Sequence, residues 1–187
     1  MKKATVLFVI GTLLTIANTN AHAFDGKRKG FQLGLGLGAQ MPKLTDKHNI
    51  ATSNVEPKQN LAISFQIGYG FSNRVIGYFG FKTGSILLDE QKASIGVGGI
   101  GGSLYLTELS PSLYLTGLIG VASVALDEEE KDQSDSGDAW LVGIGYEVAE
   151  RLQLELSHAQ AELTDPNNTA NASTLNSSFL TLQYVWY

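Results

Sequence analysis

The dominant pattern along the chain is alternation with a period of two. In "GFQLGLGLGAQ", Phe31, Leu33, Leu35 and Leu37 alternate with Gln32, Gly34, Gly36 and Gly38. In "LAISFQIGYGFS", Leu61, Ile63, Phe65, Ile67, Tyr69 and Phe71 share one parity, while Ala, Ser, Gln and Gly fill the other. "AWLVGIGYEV" sets Trp140, Val142, Ile144, Tyr146 and Val148 against Leu141, Gly143, Gly145 and Glu147. "LQLELSHAQ" sets Leu152, Leu154 and Leu156 against Gln153, Glu155 and Ser157. Such alternation predicts half-buried β-strands. Eight segments carry it: 31–40, 61–72, 75–86, 94–107, 112–126, 139–149, 152–161 and 176–187. The fourth, fifth and eighth are apolar on both parities, so the pattern does not fix their faces.

The connections alternate in length. Long polar stretches follow the first, fifth and seventh segments, at 41–60, 127–138 and 162–175, and "LLDEQKA" follows the third. Between them come only "NR", "ELSP" and the Ala149–Arg151 turn. This order is expected of an antiparallel barrel with long loops at one end and tight turns at the other, both termini lying at the tight-turn end.

An eight-stranded barrel can be soluble with an apolar lumen, or it can span a membrane. The charges distinguish the two. Only Lys82, Glu147 and Glu155 fall within the strand segments, and all three take the parity of the small residues. That face, built mostly of Gly, Ser, Ala and Gln, is too neutral to be a water-exposed outer wall. A charge on a lipid-facing wall near the midplane costs about 2–4 kcal/mol for Lys or Arg. The expectation is therefore an all-β, eight-stranded antiparallel transmembrane barrel. Phe31, Leu33, Leu35, Leu37, Ile63, Phe65, Ile67, Val142, Ile144 and Leu154 would face lipid, and the small face would point into a narrow lumen. Tyr69, Phe71, Trp140, Tyr146, Tyr184 and Trp186, near segment ends, would form interfacial girdles.

The N-terminus agrees with an exported protein. Lys2 and Lys3 precede an apolar stretch, Ala4–Ala17, that is too short to span a bilayer as a helix, and Ala21-His22-Ala23 is an A-x-A cleavage site. Residues 1–23 are expected to be a signal peptide and residues 24–187 the barrel domain. The remaining chain holds eleven basic and eighteen acidic residues, a balance unlike that of a nucleic-acid binder. There are no cysteines, so no disulfide framework holds the fold.

The signal peptide, "GFQLGLGLGAQ", the hairpin "GIGYEVAERLQLELS" and the aromatic-ended last strand "FLTLQYVWY" resemble the small outer-membrane β-barrel superfamily. That superfamily includes the barrel of outer membrane protein A and the OmpX-like and opacity-like proteins of the porin family. The resemblance implies residence in a Gram-negative outer membrane, contact with its lipids and lipopolysaccharide, and recognition of the last strand by the barrel assembly machinery. Tyr187 stands where a final Phe is commoner. No periplasmic domain follows the barrel segment, so the resemblance does not carry a peptidoglycan-binding role. It implies a structural or surface-interaction role through the outer loops, without enzymatic activity; a lipid A-modifying enzyme and a narrow porin-like channel are the alternatives.

Candidate chemistry is sparse. "GFQLGLGLGAQ" fits the dinucleotide pattern G-x-G-x-x-G/A through Gly34, Gly36 and Ala39, but Met41, Pro42 and a polar stretch follow where a helix must begin, which excludes a nucleotide cofactor. Lys82, Glu147 and Glu155 read as a structural ion network in the lumen, with Lys82 or Arg74 as counter-charge and the two glutamates as neighbours across the turn. His158 takes the outer parity. The lipid A deacylases pair a wall histidine with a serine two residues later, where this chain has Gln160, and Ser157 points the other way. "DEEEKDQSDSGD" lacks the spacing of a calcium loop and reads as a solvated acidic loop, with cation bridging to lipopolysaccharide phosphates as its alternative. No metal site or cofactor is expected.

Overall fold

The computed structural model of the chain describes residues 27–46, 60–88, 91–126, 134–165 and 168–187. The expected signal peptide, 1–23, and most of the acidic stretch "DEEEKDQSDSGD" lie outside the described residues. Eight strands form: β1 (Gly30–Asp46), β2 (Asn60–Gly70), β3 (Val75–Leu88), β4 (Gln91–Tyr105), β5 (Leu113–Leu126), β6 (Ser134–Ala149), β7 (Leu152–Asp165) and β8 (Asn168–Trp186). Each pairs antiparallel with its neighbours in the chain, and β1 pairs with β8, closing the barrel. Directly opposed residues lead once around from Leu33 through Ile67, Phe79, Ile100, Ile119, Trp140, Gln160 and Asn176 to Lys43, ten residues further along the strand of origin. A stagger of that size over eight strands tilts them by about 35–45° from the barrel axis.

The strands outrun the alternating segments at the long-connection end. The expected loop 162–175 is almost wholly a hairpin, with Glu162 opposite Thr174 and Asp165 opposite Asn168, and "LLDEQKA" is absorbed by the pairs Leu87–Lys92 and Leu88–Gln91. Likewise β1 runs six residues into the expected loop 41–60, and β6 begins at Ser134, inside the expected loop 127–138. Above the apolar band the outer face meets polar surroundings, so the apolar–polar alternation fades from the sequence while the hydrogen-bonded ladder continues.

Phe31, Leu35, Leu37, Ile63, Ile67, Val142, Ile144 and Leu154 are exposed on the outer wall; Leu33 and Phe65, on the same parity, are half-buried. The structure also assigns the faces that the pattern leaves open. On β4, Ile100 and Leu104 point out while Ile95, Val97 and Tyr105 point in; on β5, Leu115, Ile119 and Val121 point out while Tyr114, Leu118 and Ala122 point in. On β8, Leu180, Leu182 and Tyr184 point out and Phe179 and Val185 point in, as does Tyr187 just past its end. The interior is therefore not uniformly small and neutral. The half nearer the long connections holds an apolar core of Ile95, Val97, Leu118, Leu163, Leu175 and Phe179 with five alanines, Ala62, Ala122, Ala139, Ala159 and Ala161, among its neighbours.

Small residues elsewhere on the inner face make this filling possible. A Cβ placed on Gly38 would lie 2.0 Å from the backbone oxygen of Leu180, so β1 and β8 can approach here only without a side chain. Gly38→Ala is expected to destabilise the folded barrel by about 1–3 kcal/mol. Gly117→Ala, whose Cβ would meet nothing closer than 3.7 Å, serves as the near-neutral control. Urea unfolding of both variants in detergent micelles measures the difference.

Candidate functional site

The tight-turn end of the lumen is closed by a residue that lies before the first strand. Gly30 adopts a φ of 117°, a conformation that side chains resist, and it turns Lys27–Lys29 in toward the barrel mouth. Gly70 permits the close approach: a Cβ there would sit 1.8 Å from the Arg28 carbonyl oxygen. Arg28 is thereby only 2% exposed. Its Nε donates to Glu147 Oε1 at 2.8 Å and its Nη2 to Glu147 Oε2. Nη1 donates to the carbonyls of Asn73 (2.7 Å) and Thr107 (2.9 Å), and Nη2 also to Leu109 (3.2 Å). All five guanidinium N–H groups have acceptors.

Arg28 thus ties the β2–β3 turn, the β4–β5 turn and β6 to one point. The Tyr105 ring lies under the guanidinium at 4.1 Å. Tyr187, one residue past β8, donates its hydroxyl to Glu147 Oε1 at 2.8 Å. Burial pushes the Tyr187 phenol pKa up, and the Glu147 carboxylate adds to the rise. Burial pulls the Arg28 pKa down, but hydrogen bonding and charge from Glu147 outweigh it, and the net shift is upward. The guanidinium stays charged.

A second cluster sits deeper. Lys82 Nζ donates to Glu155 Oε1 at 2.5 Å and to Ser157 Oγ at 2.9 Å, and Tyr114 donates its hydroxyl to Glu155 Oε2 at 3.1 Å. Tyr78 and Thr116 share a hydrogen bond of 2.6 Å beside it. Lys82, Glu147 and Glu155 all lie inside the barrel, but they do not form one network. Glu147 opposes Gln153 and pairs with Arg28; Glu155 opposes Gly145 and pairs with Lys82. Arg74 is not a lumen counter-charge either: its Nε lies 3.6 Å from Glu108 on the exposed turns. Two separate cations relieve the repulsion that adjacent buried carboxylates would suffer. Above both clusters lies the apolar core. The lumen is thus filled at three levels, by Arg28–Glu147, by Lys82–Glu155, and by Phe179 with its apolar neighbours.

Of the six aromatics expected to form girdles, five stand toward the tight-turn end: Tyr69, Phe71, Tyr146, Tyr184 and Trp186. Tyr69 meets Phe71 edge-on at 5.7 Å and Tyr184 meets Trp186 at 4.7 Å. Of those six, Trp140 alone stands higher, edge-on to His158 at 6.2 Å. His158 Nδ1 lies 3.1 Å from Ser178 Oγ, directly across the β7–β8 pair. Sequence spacing directed attention to Ser157 and Gln160; only the register of β8 brings Ser178 to the histidine. Arg28 was missed for a related reason, since nothing in "KRKG" marks one of three consecutive basic residues as buried.

A closed eight-stranded barrel with an apolar outer wall, an ion-paired interior and aromatic residues toward its tight-turn rim defines an outer-membrane barrel protein. The family model for the outer membrane protein β-barrel domain matches residues 10–186, and the chain belongs to that family and resides in the outer membrane. Among solved structures, Neisserial surface protein A from Neisseria is similar over 84% of this chain and 97% of its own, at 14% identity and a TM-score of 0.58. Ail, the attachment invasion locus protein of Yersinia pestis, is similar over 84% of this chain and 99% of its own, at 13% identity and a TM-score of 0.56. Ail has also been solved in complex with the heparin analogue sucrose octasulfate, a structure similar at a TM-score of 0.54. At these identities the likeness is one of fold. Comparison with curated proteins gives no match.

Removing one partner of a buried ion pair leaves the other uncompensated, at a cost of about 3–5 kcal/mol. Arg28→Ala is expected to lower the unfolding free energy by that amount, and Lys82→Ala to lower it in the same direction. Lys43→Ala, on the exposed wall, should change it by less than about 0.5 kcal/mol. The double variant Arg28→Met/Glu147→Met should lose less than the two single changes together. Guanidinium unfolding in micelles, followed by tryptophan fluorescence, checks all four.

Proposed function

We propose that this protein is a non-enzymatic outer-membrane barrel that acts at its surface, through the connections at the long end, while its wall rests in lipid. The filled lumen is the observation that carries this reading. With Arg28–Glu147, Lys82–Glu155 and the Phe179 core stacked along the axis, side chains occupy the described interior at three levels, which favours chemistry at the ends and the wall over conduction. The outward Phe31, Leu33, Leu35, Leu37, Ile63, Phe65, Ile67, Val142, Ile144 and Leu154 meet acyl chains, and the aromatic residues sit at the headgroups. The last strand, ending in Trp186 and Tyr187, serves recognition by the assembly machinery.

The surface partner differs in charge from the polyanion crystallised with Ail. The stretch "DEEEKDQSDSGD" bears seven acids and one lysine, and such a field repels sulfated sugars. Sucrose octasulfate is accordingly expected to show no saturable binding to the folded protein at physiological salt. Planar-bilayer recordings should show no steady single-channel conductance. On a gel, the outer-membrane fraction should yield a folded band that shifts on boiling; recovery wholly in the soluble periplasm, or a stable conductance, overturns the reading.

One observation favours a second reading. The His158–Ser178 pair on the outer wall supplies an imidazole within hydrogen-bond reach of a hydroxyl, the minimum for nucleophilic attack on a lipid ester. Mass spectrometry of lipid A acyl chains from cells expressing the wild type and His158→Ala decides. Identical profiles are expected; a chain lost with the wild type and restored with the variant would establish the enzyme instead.

A further inference from the structure

The tight-turn mouth is shaped around a guanidinium more closely than a plug requires. Glu147 offers both carboxylate oxygens to Arg28, three turn carbonyls accept its other N–H groups, and the Tyr105 ring covers its face at 4.1 Å. An ammonium has three donors and no flat face, and would leave acceptors in this cup unfilled. Arg28 stands between two other cations, Lys27 and Lys29, and both of these are exposed.

The cup does not depend on Arg28 for its shape. Tyr187 donates to Glu147 Oε1 at 2.8 Å, and the Glu147 N–H donates to the Ser112 carbonyl at 3.0 Å. Gln153 Nε2 donates to the Tyr105 hydroxyl at 2.9 Å, and the Tyr105 ring packs on Tyr114 with centroids 4.9 Å apart. In the β4–β5 turn, Thr107 Oγ1 donates to the Leu109 carbonyl at 2.7 Å, and the Thr107 N–H donates to Ser112 Oγ at 3.0 Å. Walls bonded to one another in this way lose little freedom when a ligand arrives.

The arginine that fills the cup lies outside the strand ladder, which begins at the Gly30–Gly70 pair. Its carbonyl accepts from Gln32 Nε2 at 2.6 Å. Swinging residues 27–29 out about Gly30 would break these contacts and no strand pairing. We propose that the mouth is a guanidinium-binding site, closed in cis by Arg28, that takes an arginine side chain of another polypeptide when this strap swings out. The contact is autoinhibitory. So short a tether to Gly30 holds the internal arginine at an effective concentration of about a millimolar or more, which a free ligand has to exceed.

The test uses the full chain in phosphocholine-detergent micelles, with the thermal midpoint read from the heat-modifiable band. N-ethylguanidinium is titrated against ethylammonium, which carries the same charge without the fork. Arg28→Ala is expected to regain thermal midpoint saturably with ethylguanidinium, and to gain less than about a third as much from ethylammonium. The wild type, its cup already filled, should respond to neither. Where Arg28→Ala does not fold unaided, its refolding yield with each cation makes the same comparison. Calorimetry with an end-blocked tripeptide bearing a central arginine, and with its lysine counterpart, tests docking of another chain. The arginine peptide should bind Arg28→Met, which keeps an apolar stem in the strap, and the lysine peptide should not. Binding to the wild type should be weaker by about tenfold or more. Equal gains from the two cations, the same gain in the wild type, or no gain with ethylguanidinium would each overturn the proposal. So would an arginine peptide that binds wild type and variant alike, or neither.

Discussion

Everything else in this molecule depends on β1 pairing with β8. That ladder runs from Leu33–Trp186 to Asp46–Ser173 and removes both edges of the sheet. In hydrocarbon an unpaired backbone group costs several kcal/mol, and a closed barrel is the one sheet that leaves none. Closure also fixes the stagger. A ten-residue climb over eight strands sets the tilt and the radius, and with them a lumen only wide enough for side chains.

A narrow lumen then has to be filled without overfilling. The glycines of "GFQLGLGLGAQ" answer to this constraint, as the approach of Gly38 to the Leu180 backbone shows. The same constraint lets three different materials stack along one axis. Near the tight turns a fully hydrogen-bonded arginine closes the mouth, a lysine–glutamate pair sits above it, and an apolar core fills the rest. Buried ion pairs are weak sources of net stability but strong sources of register, because each half is costly without the other. Arg28 illustrates this: its five donors reach groups on β6 and on two separate turns, so the turns can be satisfied in only one arrangement.

The wall carries the complementary information. Acyl chains ask little of it beyond apolarity, which is why the alternation in β1, β2, β6 and β7 was legible from the chain. Strands 4, 5 and 8 were not legible in the same way, because their inward residues, such as Val97, Leu118 and Phe179, are as apolar as their outward ones. The upper parts of the strands were hidden for the opposite reason: beyond the apolar band the outward face turns polar, and a hairpin such as 162–175, with Leu163 and Leu175 its inward apolar residues, reads as a loop.

The sequence by itself determined the fold class, the number of strands, the outer face of the clearest ones and the confinement of Lys82, Glu147 and Glu155 to the small-residue parity. Those follow from periodicity and from the cost of charge in lipid, which are local properties of a strand. Which glutamate meets which cation, that Arg28 leaves the solvent at all, and that Ser178 stands beside His158 were decided only by the tertiary structure. Each of these contacts joins residues far apart in the chain, and their meeting depends on the register and stagger of the closed barrel, quantities that no single strand encodes.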